Sequence, residues 1–212
     1  MLTRLSFAAA ILALLPAALA AQAPSTPTEK PAPRTVPVAM VTSAGTITLA
    51  LEVERAPVTA ANFLRYVDQK RLDGANFYRA FTYASDPKTG LIQGGTQGDP
   101  KRVLKPIAHE PTSQTGLTHD DGAISMARGA PGSANGDFFI IMGGMPGLDA
   151  NPAAPGDNLG YAVFGHVTAG MDVVRTIAAM ERSATAGVGA MRGQMLAQPV
   201  KILTARRVVA GK

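Results

Sequence analysis

Residues 38–53 read Val38-Ala39-Met40-Val41-Thr42-Ser43-Ala44-Gly45-Thr46-Ile47-Thr48-Leu49-Ala50-Leu51-Glu52-Val53. Successive side chains of an extended chain point to opposite faces. Ile47, Leu49, Leu51 and Val53 therefore share one face, and the two runs flank a short turn at Ser43-Ala44-Gly45. Two period-two runs around a glycine turn predict a β-hairpin with one buried side. Downstream, Pro57 opens a helix at the position where a missing N–H is harmless, and Phe63, Leu64 and Val67 give it an apolar stripe as far as Asp73-Gly74. Short apolar strands are predicted at 75–81, 90–94, 122–127, 136–142, 160–168 and 198–209. A second amphipathic helix is predicted from Met171 to about Arg182, carrying Met171, Val174, Ile177 and Ala178 at helical spacing. Many short strands with only two helices imply an antiparallel barrel or sandwich with helical caps, and no internal repeat is visible.

The composition narrows the chemistry. The chain has 212 residues, 46% hydrophobic and 17% charged, which suits one globular domain with a real core. It contains no cysteine, which excludes disulfides, thiolate nucleophiles and cysteine-ligated metal centres. A net charge of +5 is too dilute over this length to imply a nucleic-acid partner. The first 20 residues read as a cleavable signal peptide: Arg4 gives an early charge, Phe7 to Leu15 is apolar, and Ala18-Leu19-Ala20 is a small-residue cleavage motif. Ala21-Gln22-Ala23 offers a second cleavage site, after Ala23. The apolar run is interrupted by Ser6 and Pro16 and falls short of the roughly 20 residues a membrane span needs. The mature chain is thus expected to be secreted or periplasmic, without a membrane span. Residues 21–37 are rich in proline and poor in large apolar side chains, and read as an extended linker, leaving 38–212 as the folded domain.

Several blocks carry a resemblance. Asn76-Phe77-Tyr78-Arg79, Ile92-Gln93-Gly94-Gly95, Ile124-Ser125-Met126-Ala127, Asp137-Phe138-Phe139-Ile140 and Tyr161-Ala162-Val163-Phe164-Gly165 are similar to the signature blocks of the cyclophilins, in the family's order and roughly its spacing. Thr42-Ser43-Ala44-Gly45, Ala56-Pro57-Val58-Thr59-Ala60-Ala61-Asn62-Phe63 and Gly170-Met171-Asp172-Val173-Val174 extend the match to about residues 38–209. The resemblance implies a closed eight-stranded antiparallel β-barrel capped by two α-helices. It also implies a peptidyl-prolyl cis/trans isomerase of the bacterial secreted branch, a monomer acting on proline-containing polypeptide clients.

The chemistry such a site performs follows from the peptide bond. Resonance in the C–N bond sets a rotation barrier of about 18–20 kcal/mol. Lowering it requires no cofactor, metal, nucleophile or proton transfer. It requires an apolar slot for the proline ring and a fixed donor that favours the pyramidal nitrogen of the twisted amide. By resemblance Arg79 is that donor, and guanidinium suits the task because it stays charged and presents a rigid fork of N–H groups. Without the resemblance, an arginine whose stem covers apolar surface is the commoner account. The resemblance assigns Gln93 to bonding the substrate backbone and positioning Arg79, and Phe139 to the floor of the proline pocket. Leu91, two residues from Gln93, should wall the pocket. Strand alternation places Phe81 with Phe77 and Arg79 on one face, so that two rings flank the arginine. Ala127 and Arg128 match positions where substrate backbone runs along the protein, and Leu148 and Tyr161 complete the expected binding set.

The chain also departs from the family. The connection 82–90 is longer than usual, and a pocket phenylalanine is replaced by Gly90 or supplied from elsewhere, Tyr83 being the candidate. Asp137 stands where many members have glutamine; alternation puts it on the face of Phe139, from which a pair with Arg79 is expected. A Pro/Gly-rich insertion occupies 143–160, no tryptophan lies beside Leu148, and Tyr161 replaces a histidine. His109, His119 and His166 show no metal-ligand spacing, and 187–198 reads as a flexible loop. Two functions fit: an isomerase of X-Pro bonds, or a proline-peptide binding module of chaperone type whose altered pocket has a weak or vestigial isomerase site.

Overall fold

Alternating hydrophobicity becomes a closed barrel in the structure, a computed structural model that describes residues 32–208. The strands are β1 (Val36–Thr42), β2 (Gly45–Leu51), β3 (Asn76–Thr82), β4 (Gly90–Gly95), β5 (Ala123–Met126), β6 (Asp137–Met142), β7 (Ala162–Ala169) and β8 (Met195–Arg207). They close in the order β1-β2-β7-β5-β6-β4-β3-β8, and every pairing is antiparallel. Among the described residues three α-helices accompany them: α1 (Pro57–Asp68), the single turn α2 (Thr112–Thr115) and α3 (Met171–Ala178). The expected signal peptide and residues 21–31 of the expected linker lie outside the described residues. The last two linker residues, Val36 and Pro37, already belong to β1.

The predicted hairpin forms with Thr42 opposite Gly45, and its inward side chains Val38, Met40, Ile47, Leu49 and Leu51 are fully buried. Helix α1 packs against β7 and β8, and α3 against β2, β3, β4 and β6. Phe63 of α1 reaches Phe138 edge-on at 5.3 Å and Phe164 at 5.2 Å, joining helix to barrel interior through aromatic contacts. The N-terminus of α1 has no local side-chain cap. Its donors without an intrahelical partner are met from far along the chain by the buried carboxylate of Glu110, which accepts from the Val58 and Thr59 amides and from the Thr59 hydroxyl. Helix α3 stops at Ala178, short of the expected Arg182, because Arg182 instead bridges to Leu196. Strand β8 accordingly begins at Met195 rather than at 198.

One irregularity decides where the arginine goes. Phe77 pairs with Gly94 and Arg79 with Gln93, so Tyr78 is an extra residue in β3, a β-bulge. Strict alternation would place Arg79 on the side of Phe77, which is fully buried in the barrel and meets Phe138 at 5.6 Å. The bulge reverses the parity: Arg79 and Phe81 point outward while Ala80 is fully buried. The expectation that Phe77 and Arg79 share a face is therefore corrected. Gly94, between Phe77 and Phe138 in the inward row, allows that ring contact, since a Cβ there would lie 2.8 Å from Phe77 Cδ1.

Candidate active site

A cavity of about 810 Å3 opens on the outer face of β3, β4 and β6. Register sets its central row, because Met195, Arg79, Gln93 and Phe139 follow one another across β8, β3, β4 and β6, with the buried Ser125 of β5 next in line behind it. Arg79 and Gln93 meet as cross-strand neighbours, with Arg79 Nη1 donating to Gln93 Oε1 at 2.6 Å. Gln93 Nε2 in turn donates to the Tyr78 hydroxyl at 2.8 Å, which directs the amide oxygen at the guanidinium. From the other side, Arg79 Nε and Nη2 both donate to Gln194 Oε1, at 2.9 and 2.7 Å.

Three of the five N–H donors of a guanidinium are thereby held by two neutral oxygens. One N–H on each terminal nitrogen is left, a fork on a side chain that lines the cavity. Burial pushes the Arg79 pKa down, opposed by the nearby phenols of Tyr78 and Tyr161, yet an arginine starts so high that the charge persists at any working pH. Burial first, and then the charge of Asp137, push the Tyr78 hydroxyl well above its ordinary value, so it remains a neutral partner.

The apolar part lies beside this fork. Phe139 forms the floor, 4% exposed, with Leu91, Phe81, Met145 and Leu148 around it. Tyr161 stands edge-on to Phe139 at 5.4 Å. Behind Phe139, the His119 ring stacks at 5.9 Å and 10°. His119 Nδ1 lies 2.6 Å from Asp149 Oδ1, and Nε2 lies 3.0 Å from Ser125 Oγ. Serine, histidine and aspartate thus form a relay, but Ser125 is fully buried and cannot reach a substrate. The relay supports the floor. Burial lowers the His119 pKa, against the opposing pull of Asp149 and Asp120.

All ten side chains singled out from sequence line this cavity: Arg79, Gln93, Phe81, Leu91, Ala127, Arg128, Asp137, Phe139, Leu148 and Tyr161. Two of them act otherwise than expected. Asp137 makes no pair with Arg79; its carboxylate accepts from the Gln97 amide at 2.8 Å and from the Thr96 amide. Burial raises the Asp137 pKa, and those two amides oppose the rise. Arg128 was expected where substrate backbone runs along the protein, yet its side chain is the bolt of the 143–160 insertion. It donates to both Asp157 oxygens, at 2.6 and 2.9 Å, and to the Gly160 carbonyl, with its guanidinium 5.2 Å from the Tyr161 ring centroid. The Ala127 amide is already committed to the Asp137 carbonyl at 2.9 Å.

Gly90 cannot carry a pocket side chain, since a Cβ would lie 2.0 Å from the Phe81 carbonyl. The ring on that side is Phe81, braced by Tyr83 at 4.9 Å. Sequence reading missed Tyr78, Met145, Met191, Gln194 and Met195, all of which line the cavity. The available signal was the pair of methionines at 191 and 195, large apolar residues in an otherwise small and glycine-rich stretch. Among the described residues no cluster of three or more His, Cys, Asp or Glu could hold a metal ion, and no helix is long and apolar enough to cross a membrane.

Comparison with known proteins gives a consistent picture. Residues 37–207 match the family described as cyclophilin type peptidyl-prolyl cis-trans isomerase/CLD. The chain is 36% identical over 173 residues to the peptidyl-prolyl cis-trans isomerase cyp18 of Streptomyces antibioticus, covering 80% of this chain and 96% of that protein. It is 36% identical over 171 residues to a peptidyl-prolyl cis-trans isomerase of Acinetobacter baylyi, covering 79% and 82%. In fold it is similar to a Cryptosporidium parvum cyclophilin-type peptidyl-prolyl cis-trans isomerase crystallised in the presence of the dipeptide Ala-Pro. That likeness has a TM-score of 0.65 at 19% identity and covers 82% of this chain and 99% of the other.

Proposed function

The chain belongs to the cyclophilin-type peptidyl-prolyl cis-trans isomerases, and from that premise we propose that it accelerates X-Pro isomerisation in the folding of secreted or periplasmic proteins, with Arg79 as the electrostatic donor. The observation that carries the assignment of Arg79 is its clamp. Two amide oxygens hold three of its N–H groups, and among the described residues no carboxylate bonds to it. Neutral acceptors orient a cation without quenching its field, which is what stabilising the lone pair of a twisted imide nitrogen demands.

The proline ring of a client occupies the slot of Phe139, Leu91, Leu148 and Phe81, displacing water around the guanidinium. Planar amide nitrogen has its lone pair delocalised into the carbonyl and accepts poorly. As the bond twists, the lone pair localises and becomes an acceptor for the free N–H fork of Arg79. The interaction strengthens only at the transition state, so it lowers the barrier instead of merely tightening binding. Spontaneous X-Pro isomerisation takes tens to hundreds of seconds, slow enough to limit folding.

The extracytoplasmic role rests on the signal-peptide pattern of residues 1–20. The test is a proline-limited refolding assay with the mature chain and Arg79→Ala. The reading expects acceleration at substoichiometric amounts and a loss of about two orders of magnitude in the variant, as for other preorganised donors. Full activity of the variant would reject Arg79, and an effect that needs about one molecule per client would mark a binding module. N-terminal mass determination of the exported protein, starting at Ala21 or Pro24, tests the localisation.

A further inference from the structure

Residues 183–194 lie between α3 and β8, and the part from 187 onward belongs to the stretch 187–198 that reads from sequence as a flexible loop, yet the segment is tied to itself and to the site. The Ala186 amide donates to Ser183 Oγ at 3.1 Å, the Gly193 amide to the Ala186 carbonyl at 3.0 Å, and the Gln194 amide to the Met191 carbonyl at 3.1 Å. Its last residue is pinned to β3, where the Gln194 carbonyl accepts from the Ala80 amide at 2.9 Å, one residue beyond Arg79. The side-chain amide is also fixed in orientation. Nε2 donates to the Ala190 carbonyl at 2.8 Å, which turns Oε1 towards Nε and Nη2 of Arg79.

We propose that Gln194 is a positioning residue for Arg79, and that this loop supplies half of the clamp that aims the catalytic guanidinium; the proposal rests on Arg79 being the donor. Gln93 alone holds one terminal nitrogen, about which the guanidinium can still swing. A second acceptor at the Nε edge fixes the plane, and with it the direction of the two free N–H groups. Glutamine suits the place because its oxygen orients the cation without opposing its charge. A glutamate there would accept from the same two nitrogens of Arg79 in a stronger pair, giving up the bond to the Ala190 carbonyl, and would drain the field the twisted amide needs.

The experiment is a double-mutant cycle on the mature chain with Arg79→Ala, Gln194→Ala and the double variant, read as kcat and KM on a proline peptide and as Tm. The loop's main-chain anchor to Ala80 survives the alanine substitution, so the variant tests the side chain. Gln194→Ala should lower kcat about five- to tenfold with little change in KM, and should have no effect in the Arg79→Ala background. Gln194→Glu should also lower kcat while holding or raising Tm, a result that a merely structural role would not give. It carries the cycle if the alanine variant does not fold. An impaired Arg79→Ala beside a fully active Gln194→Ala overturns the positioning role alone, as does an equal loss in both backgrounds. A fully active Arg79→Ala removes the premise and the proposal with it.

Discussion

Replacing Tyr78 by phenylalanine removes one oxygen from a side chain that is 7% exposed and leaves the ring in place. That oxygen is the acceptor for Gln93 Nε2, and it determines that the oxygen end of the Gln93 amide faces Arg79. Without it, the flipped amide, which presents NH2 to the guanidinium, is no longer penalised by a lost bond to Tyr78. The net value of such a neutral hydrogen bond is about 0.5–1.5 kcal/mol. At about 1.36 kcal/mol per factor of ten, the expected fall in kcat/KM is about two- to twelvefold, carried mainly by kcat. Because the hydroxyl is held neutral, the ratio of variant to parent should stay constant between about pH 6 and pH 9, below the ordinary tyrosine value. The assay is a proline-peptide isomerisation assay over that range, with Gln93→Leu and the double variant alongside. Parent-like kcat in Tyr78→Phe would refute the orienting role of the Tyr78 hydroxyl. So would the same loss in the Gln93→Leu background, where no amide remains to be oriented.

Glu110→Ala should destabilise the protein by about 2–4 kcal/mol, by stripping the α1 amides of their acceptor, while leaving kcat/KM unchanged; an unshifted urea midpoint would contradict the capping role. His119 should make stability fall as pH drops from about 6.5 towards its depressed folded value, because the unfolded chain takes up the proton first. Asp68 and Asp73, held low by Arg207 and Arg206, act only further down, where stability is lost below about pH 3.9. His119→Gln should therefore flatten the upper window in urea titrations and spare the lower one; an unchanged upper slope would exclude His119 as its origin. Arg128→Ala should release the 143–160 insertion, speeding limited proteolysis near 151–158 and raising KM about threefold or more, on the scale of one lost charged hydrogen bond. Parent-like proteolysis would show that the insertion holds without the bolt.

The barrel was legible in the sequence because Ile47, Leu49 and Leu51 alternate cleanly, and a wrong register would expose the whole set. The proximity of Arg79 and Gln93 was legible only through resemblance, since nothing local to either residue announces a cross-strand partner. The bulge at Tyr78 was illegible for a physical reason: Phe77, Tyr78 and Arg79 all sit readily in a strand, so the extra residue leaves no mark in composition or spacing. The Glu110 cap and the Gln194 clamp were hidden by distance, the partners lying 51 and 115 residues away from Thr59 and Arg79. Asp137 was misread because alternation gives the face of a side chain but not the neighbour its oxygens choose. The amides of Gln97 and Thr96, at the end of β4, are nearer partners than the arginine.

Closure of the barrel by β1 against β8 has a consequence in time as well as in space. The seam joins the first strand to the last, and the Arg79 clamp draws on β3, β4 and a residue immediately before β8. A chain emerging N-terminus first, from a ribosome or through a translocation pore, holds Arg79 and Gln93 long before it can supply Gln194 or the seam. Contacts of such high sequence separation form late and make folding slow. With Arg79 as the proposed donor, competence for catalysis arrives with the final strand, and a partly emerged chain presents the guanidinium without its clamp.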